Sequence, residues 1–168
     1  FDVREAGRRK REGDSVTGKT VTDSAGKPGM VPGTLKAVKA IGWFIPQYGI
    51  AQVSMNLTDL SVTPLHAAFD EVCRKAEARG LRVTGSELVG LVPLRTMLEA
   101  GRHYLRRQRR SAGVSEGELI RMAVTSLGLE ELAPFTPEER IIEYRLRAPG
   151  AAPLAALSLG GFIDETAS

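Results

Sequence analysis

The sequence predicts an α+β fold, a layer of sheet covered by helices, and three observations carry that prediction. Val53, Met55 and Leu57 alternate with Gln52, Ser54 and Asn56, which is the period of a half-buried strand. Leu65, Phe69, Val72, Cys73 and Ala76 form one apolar stripe at helical spacing, between a proline at 64 and a glycine at 80. A short apolar run, Leu81 to Val83, follows that glycine at once. Strand, helix and strand at this spacing make a βαβ-like unit, in which two parallel strands lie beneath the helix.

Length and composition set the bounds. The 168 residues suffice for one domain with a core, and the hydrophobic content is 42%. Lysine and arginine number 23 against 20 acidic residues, a net charge of only +3. No apolar run approaches the ~20 residues of a membrane span and nothing at the start reads as a secretory signal, so no membrane partner is expected. The single Cys73 excludes an internal disulfide, and a reducing, cytoplasmic location fits it.

Taken in order, "FDVREAGRRKR" has the charge mixture of the end of an amphipathic helix whose beginning is missing, so the chain is expected to be a piece of a longer protein. Gly13 to Gly33 is rich in glycine, proline and small polar residues without a period, and reads as an exposed linker or long loop. Two apolar runs between Leu35 and Leu57 flank "PQYG" and predict a β-hairpin. Thr63 is expected to cap the next helix with Pro64 at its first position, Asp70 to pair with Arg74 and Glu71 with Lys75, and Gly80 to take the left-handed C-terminal place. A second helix from Pro93 turns Leu94, Met97, Leu98, Gly101 and Leu105 inward. A third starts at Ser115 with Glu118 at capping-box spacing and ends at Gly128. A further box at Thr136 and Glu139 opens a short helix into "RIIEYRL". Leu57, Phe69, Val72, Leu94, Leu98 and Leu119 are expected to share one core.

The chemistry-bearing motifs are few. No glycine-rich phosphate loop of either common type occurs, and two histidines with one cysteine make no metal constellation. His66, in the first turn of its helix and beside the strand end at Asn56, reads either as a ligand or proton-transfer group or, by preference, as a polar residue lining that turn. His103 lies among Arg102, Arg106 and Arg107 and reads as a surface residue. The basic stretch from Arg102 to Gly113 allows three readings: a nucleic-acid surface, a solvated helix end whose cations complement the dipole, or an attractor for a polyanionic small ligand such as an oligoglutamate tail. The second is preferred for most of these residues, and charge alone does not separate the three. Thr84-Gly85-Ser86-Glu87 stands at the carboxyl end of the expected second strand, where ligands gather in layered α/β folds; a ligand site and a strand bulge weigh evenly there.

The stretch "KAIGWFIPQYGIAQVSMNLTDLSVTPLHAAFDEVCRKAEARGLRVTGSELVGLVPL", continued by "SLGLEELAPF" and "ERIIEYRL", closely resembles the C-terminal subdomain of glutamate formimidoyltransferases, the formiminotransferase part of formiminotransferase-cyclodeaminases. The resemblance runs from Leu35 to about Leu146. "LGGFIDETAS" resembles, over a shorter span, the start of a cyclodeaminase domain. It implies three regions: 1–34 as the end of a preceding subdomain with a flexible linker, 35–147 as the C-terminal subdomain, and 148–168 as a linker into a cyclodeaminase-like domain. The implied fold is a ferredoxin-like sheet with helices on one face and additional C-terminal helices.

The implied activity moves a formimino group from N-formiminoglutamate to tetrahydrofolate as co-substrate, in histidine degradation. The implied partners are an upstream N-terminal subdomain and further copies of the chain, as a homodimer or a higher homo-oligomer. The family's proton-donating histidine belongs to a motif that no stretch here matches, so no catalytic residue is assigned and the chain is expected to be inactive by itself. Gln52, Ser54, Asn56, His66, Thr84, Ser86 and Glu87 become candidates for the folate-facing wall, and Arg106 and Arg107 for attracting a polyglutamate tail. Two rivals are a non-catalytic structural or regulatory domain and an RNA-binding module. The latter is disfavoured because Gln52, Ser54 and Asn56 offer no aromatic platform.

Overall fold

A computed structural model describes residues 2–13 and 17–147, so the expectations for 14–16 and for the cyclodeaminase-like tail from 148 lie outside the described residues. The fold is α+β. The strands are β1 (Arg8–Arg9), β2 (Arg11–Glu12), β3 (Lys19–Thr20), β4 (Met30–Val31), β5 (Val38–Ile45) and β6 (Ile50–Leu57). The helices are α1 (Leu65–Glu77), α2 (Leu94–Arg107), α3 (Glu116–Leu127), α4 (Pro137–Arg140) and α5 (Ile142–Arg147). The strands pair antiparallel as β1 with β4, β2 with β3 and β5 with β6.

The N-terminal segment is not a helix end. "RRKRE" is charged but has no apolar stripe to bury along a helix, and its backbone bonds to residues 18–31 instead. The Lys10 amide donates to the Gly29 carbonyl (2.7 Å), and the Lys10 carbonyl accepts from Val21 N (3.0 Å). Much of the expected linker is therefore paired backbone. Glycine makes this possible: at Gly7, with φ +63°, a Cβ would lie 1.9 Å from the Val31 carbonyl oxygen. Buried Val3, a bond from Glu5 N to the Val38 carbonyl (2.9 Å) and the Lys75–Asp2 ion pair (3.0 Å) fasten this segment to the rest.

The hairpin forms as the alternation requires, with Val38 opposite Leu57 and Ile45 opposite Ile50, and Gly49 takes φ +63° in the turn. Val53, Met55 and Leu57 are half-buried while Gln52, Ser54 and Asn56 are exposed. In α1 the N-terminal flank is Pro64 without a side-chain cap, because the Thr63 hydroxyl donates to the Lys36 carbonyl (2.6 Å) and ties the helix to the start of the hairpin. Gly80 is left-handed (φ +70°), and Leu81 N closes back on the Ala76 carbonyl (3.0 Å).

The second strand of the expected βαβ unit does not form. Leu81 to Val83 carry no strand and Leu81 is 59% exposed. Only Leu81 and Val83 are apolar there, and the contacts of Gly85 and Ser86 with Leu127, Gly128 and Glu131 draw the chain onto the end of α3 instead. Among the described residues the parallel pairing is a single bridge, Val92 to Ile141, with Val92 N bonded to the Arg140 carbonyl (2.9 Å) and Ile142 N to the Val92 carbonyl (3.0 Å). That bridge also divides the helix expected through "RIIEYRL": Ile141 is extended (φ −98°, ψ 123°), fully buried, and separates α4 from α5. Thr136 precedes α4 but makes no side-chain cap, whereas the Ser115 cap accepts from Glu118 N (3.3 Å) as the spacing predicts.

The core lies between α2 and α3. Met97, Leu105, Leu127 and Ile141 are its largest fully enclosed side chains. Glu143 on α5 accepts from the Leu94 amide (2.6 Å) at the start of α2, and Tyr144 donates to Glu116 (2.6 Å) at the start of α3. Of the expected core, Leu119 is buried and Phe69, Leu94 and Leu98 pack against it half-buried. Leu57 and Val72 are half-buried outside that cluster. Phe69→Ala is accordingly expected to cost less than the ~3–5 kcal/mol of a fully buried phenylalanine.

The helices touch closely at Gly101, where a Cβ would fall 2.1 Å from the Leu119 carbonyl oxygen. Backbone occupies that space and cannot give way as a side chain end could. Gly101→Ala should lower stability in denaturant titration by at least ~1–3 kcal/mol, the range of overpacked sites. Gly117→Ala, on the open side of α3 with nothing within 4 Å, should stabilise by ~0.5–1 kcal/mol.

Candidate functional site

The sequence-predicted crevice residues do not assemble as one row. Gln52, Ser54 and Asn56 stand on the outward face of β6, where register places them beside Trp43, Ile41 and Lys39 of β5. Trp43 is 43% and Ile41 65% exposed, so this face is not purely polar, and the lack of an aromatic platform no longer counts against an RNA surface. Thr84 and Glu87 are exposed on the segment after α1. Ser86 bonds to the end of α3, its hydroxyl donating to the Leu127 carbonyl (2.6 Å) and its amide to the Gly128 carbonyl (3.0 Å). Gly85 is small because a Cβ there would meet Glu131 Cβ at 2.6 Å. The Thr84–Glu87 step is thus a packing loop, and neither a strand bulge nor a neighbour of β6 in a sheet.

His66 and His103, from different helices, come together instead. Their rings stack with centroids 4.3 Å apart and planes 22° from parallel. Asp70, one turn beyond His66, contacts His103 Nε2 (2.9 Å) and accepts from Tyr104 Oη (3.2 Å) and Arg107 Nη1 (3.1 Å). A carboxylate only accepts, so His103 carries its hydrogen on Nε2. His103 is therefore not a plain surface residue, and Asp70 pairs across to α2 rather than with Arg74. Arg74 bonds Glu71 (2.8 Å), which also lies 3.9 Å from Lys75 as expected.

Around the pair runs an open groove of about 510 Å³ lined by His66, Glu99, Arg102, His103, Arg106 and Arg107. His66 Nδ1 is buried there without a hydrogen-bond partner. Burial first, and the neighbouring His103 second, hold the His66 pKa below its ordinary 6.5. Burial and the Asp70 carboxylate push Tyr104 well above the ordinary phenol range, which keeps it a donor. No group of three or more metal-capable side chains occurs among the described residues, and no helix among them is long and apolar enough to cross a membrane.

Sequence reasoning missed the Asp70–His103 contact because the two residues lie far apart in the chain. The signal was present only as two one-turn spacings, His66 to Asp70 and His103 to Arg107, each placing its pair on a single helix face.

A sequence profile described as "Formiminotransferase domain" matches residues 1–147. The chain belongs to the formiminotransferase domain family. It is 50% identical over 117 residues to formimidoyltransferase-cyclodeaminase of Gallus gallus, covering 70% of this chain and 21% of that protein. It is 46% identical over 140 residues to the Sus scrofa protein of that name, covering 82% of this chain and 25% of the relative. The glutamate formimidoyltransferase of Thermoplasma acidophilum is 33% identical over 88 residues, or 52% of this chain and 28% of that protein. The chain thus spans about a quarter of the length of the relatives it matches.

The low His66 pKa makes a sign-definite prediction. The folded state binds fewer protons than the unfolded state between the depressed folded value and 6.5, so stability falls as pH drops below about 6.5 and levels once the folded pKa is passed. Thermal melts of wild type and His66→Gln across that window should converge toward low pH. A constant gap between the two curves would remove His66 from the pH dependence.

Proposed function

We propose that this chain is part of a folate-dependent glutamate formimidoyltransferase, which passes the formimino group of N-formiminoglutamate to tetrahydrofolate and releases glutamate, in histidine degradation. The observation that carries the reading is the formiminotransferase-domain match over residues 1–147. Formimidoyltransferase-cyclodeaminase relatives support a further cyclodeaminase domain in the whole protein. Homodimerisation and a cytoplasmic location belong to the same proposal.

In this reaction a folate ring nitrogen attacks the formimino carbon while the glutamate amine departs. One group must take a proton from the attacking nitrogen and another must give one to the leaving amine, each within hydrogen-bond reach. The chain brings no assigned catalytic residue to that step; an upstream subdomain would supply the acid–base histidine. What it supplies is charge. Folate ends in glutamyl carboxylates, and the groove between α1 and α2 offers guanidinium groups suited to carboxylates rather than an apolar slot for the ring system. Arg107 is partly neutralised by Asp70 at 3.1 Å, so of the two arginines expected to attract a polyglutamate tail, Arg106 is the more available, with Arg102 beside it.

Full-length protein given N-formiminoglutamate and tetrahydrofolate should form formiminotetrahydrofolate, and residues 1–168 alone should not exceed the uncatalysed rate. Lack of turnover by the full-length enzyme would overturn the assignment. Turnover by residues 1–168 that is lost in His66→Ala would relocate the catalytic role to this chain. Polyglutamylated folates should bind more tightly than monoglutamates, with an advantage that shrinks as ionic strength rises from low salt toward about 0.5 M. An advantage equal at all salt concentrations would take the arginines out of binding.

A further inference from the structure

The groove between α1 and α2 gathers positive charge that its own carboxylates only partly answer. Asp70 takes His103 and Arg107, and Glu99 takes Arg95 at 2.6 Å. The guanidinium groups of Arg102 and Arg106 have no hydrogen-bond or ion-pair partner among the described residues. These two arginines stand one turn apart on one face of α2, a like-charge spacing that destabilises a helix. A second observation is independent of them: the His66 imidazole keeps Nδ1 buried and unpartnered, and stacks at 4.3 Å on His103. A proton on His66 would place a cation in a groove lined by three arginines. An anion in the groove answers both features, since it bridges the arginines and places a negative charge near the His66 imidazole.

We propose that this groove is a proton-linked anion site: a small ligand with two or more closely spaced negative charges, carboxylate or tetrahedral oxyanion, bridges Arg102 and Arg106 and is taken up together with a proton on His66, whose ring stacks on His103. The inference rests on the reading of this groove as a receptor for polyanionic groups and adds how its occupancy is regulated. The charged and titratable groups facing the pair are Asp70 from α1 and Glu99, Arg102, Tyr104, Arg106 and Arg107 from α2. Asp70 and Glu99 favour the extra proton on His66, while burial and the neighbouring His103 oppose it. A bound anion adds its negative charge to the favouring side, so a proton is drawn from solvent when the ligand arrives. His66 is neutral in the free groove near neutral pH. Affinity should therefore rise as pH falls through the pKa of the occupied site, and level off below that of the free site.

The test is calorimetric titration of the full-length protein between about pH 5.5 and about pH 7.5 at constant ionic strength, a range centred on the ordinary histidine pKa. The probes are N-acetylated triglutamate and inorganic sulfate, both of nearly constant charge over that range. Binding of at least one probe should tighten toward the acid end, by at most about tenfold per pH unit for one proton. Proton uptake should appear as a dependence of the heat on buffer ionisation enthalpy. Tighter triglutamate binding assigns the site to carboxylates, tighter sulfate binding to tetrahedral oxyanions. Joint Arg102→Gln and Arg106→Gln substitution should weaken binding at every pH, and joint His66→Gln and His103→Gln should flatten the pH profile while binding persists. Imidazole proton resonances of the unsubstituted protein should shift on ligand addition, a readout that needs no variant. Failure of both probes to bind, or binding that ignores the arginine change, would overturn the groove reading and this inference with it. Binding through the arginines without pH dependence or proton uptake would overturn the proton linkage alone, and formimidoyl transfer, measured separately, would judge the family assignment.

Discussion

The close approach of α2 to α3 at Gly101 is the constraint on which the rest of the structure depends. With no Cβ at that position the Leu119 carbonyl lies against the α2 backbone, and the side chains of Met97, Leu105 and Leu127 can be fully enclosed. Glu143 and Tyr144 of α5, bonded to Leu94 at the start of α2 and Glu116 at the start of α3, then hold α5 across both helices. The extended Ile141 bridges to Val92 just ahead of α2 and closes the same core from below. Helix α2 is thereby fixed, and whatever its outer face presents is presented rigidly.

That outer face meets α1 through one carboxylate. Asp70 answers a histidine, a phenol and a guanidinium of α2 and so sets the rotation of α1 that brings His66 over His103. Exposed ion pairs contribute little stability, and three shared donors on a part-buried acceptor serve geometry more than energy. The consequence is local electrostatics. A histidine pair sits against arginines with too few acids, in a groove open to solvent, which is the setting in which a bound anion and a bound proton reinforce one another.

Several elements could be read from residues alone because their signals are local. The hairpin follows from alternation and a proline and glycine turn, the cap of α3 from Ser115 and Glu118, and the ends of α1 and α3 from Gly80 and Gly128. Elements that answer to distant backbone were not readable. Arg8 to Glu12 look helical by charge but pair with residues 19–31, and Leu81 to Val83 look like a strand but are drawn past the sheet by contacts of Gly85 and Ser86 with the end of α3. Ile141 interrupts a run of good helix formers because the backbone on either side of it bonds to Val92, the Arg140 carbonyl accepting from Val92 N and Ile142 N donating to the Val92 carbonyl.

For function the division is similar. The sequence by itself determined the family, since a long run of specific residues carries that information without coordinates, and it determined the hairpin and the three longer helices, whose hydrogen bonds and apolar faces are set by neighbours within a few residues. Only the tertiary structure decided which polar residues share a site. It separated Ser86 from Gln52, Ser54 and Asn56, moved Asp70 from its expected partner Arg74 to His103, and joined His66 to a histidine that spacing had left on the surface. The reason is physical: a contact between side chains of two helices depends on the rotation and separation of both, and those are fixed by packing at places such as Gly101 that carry no sign of the site they position.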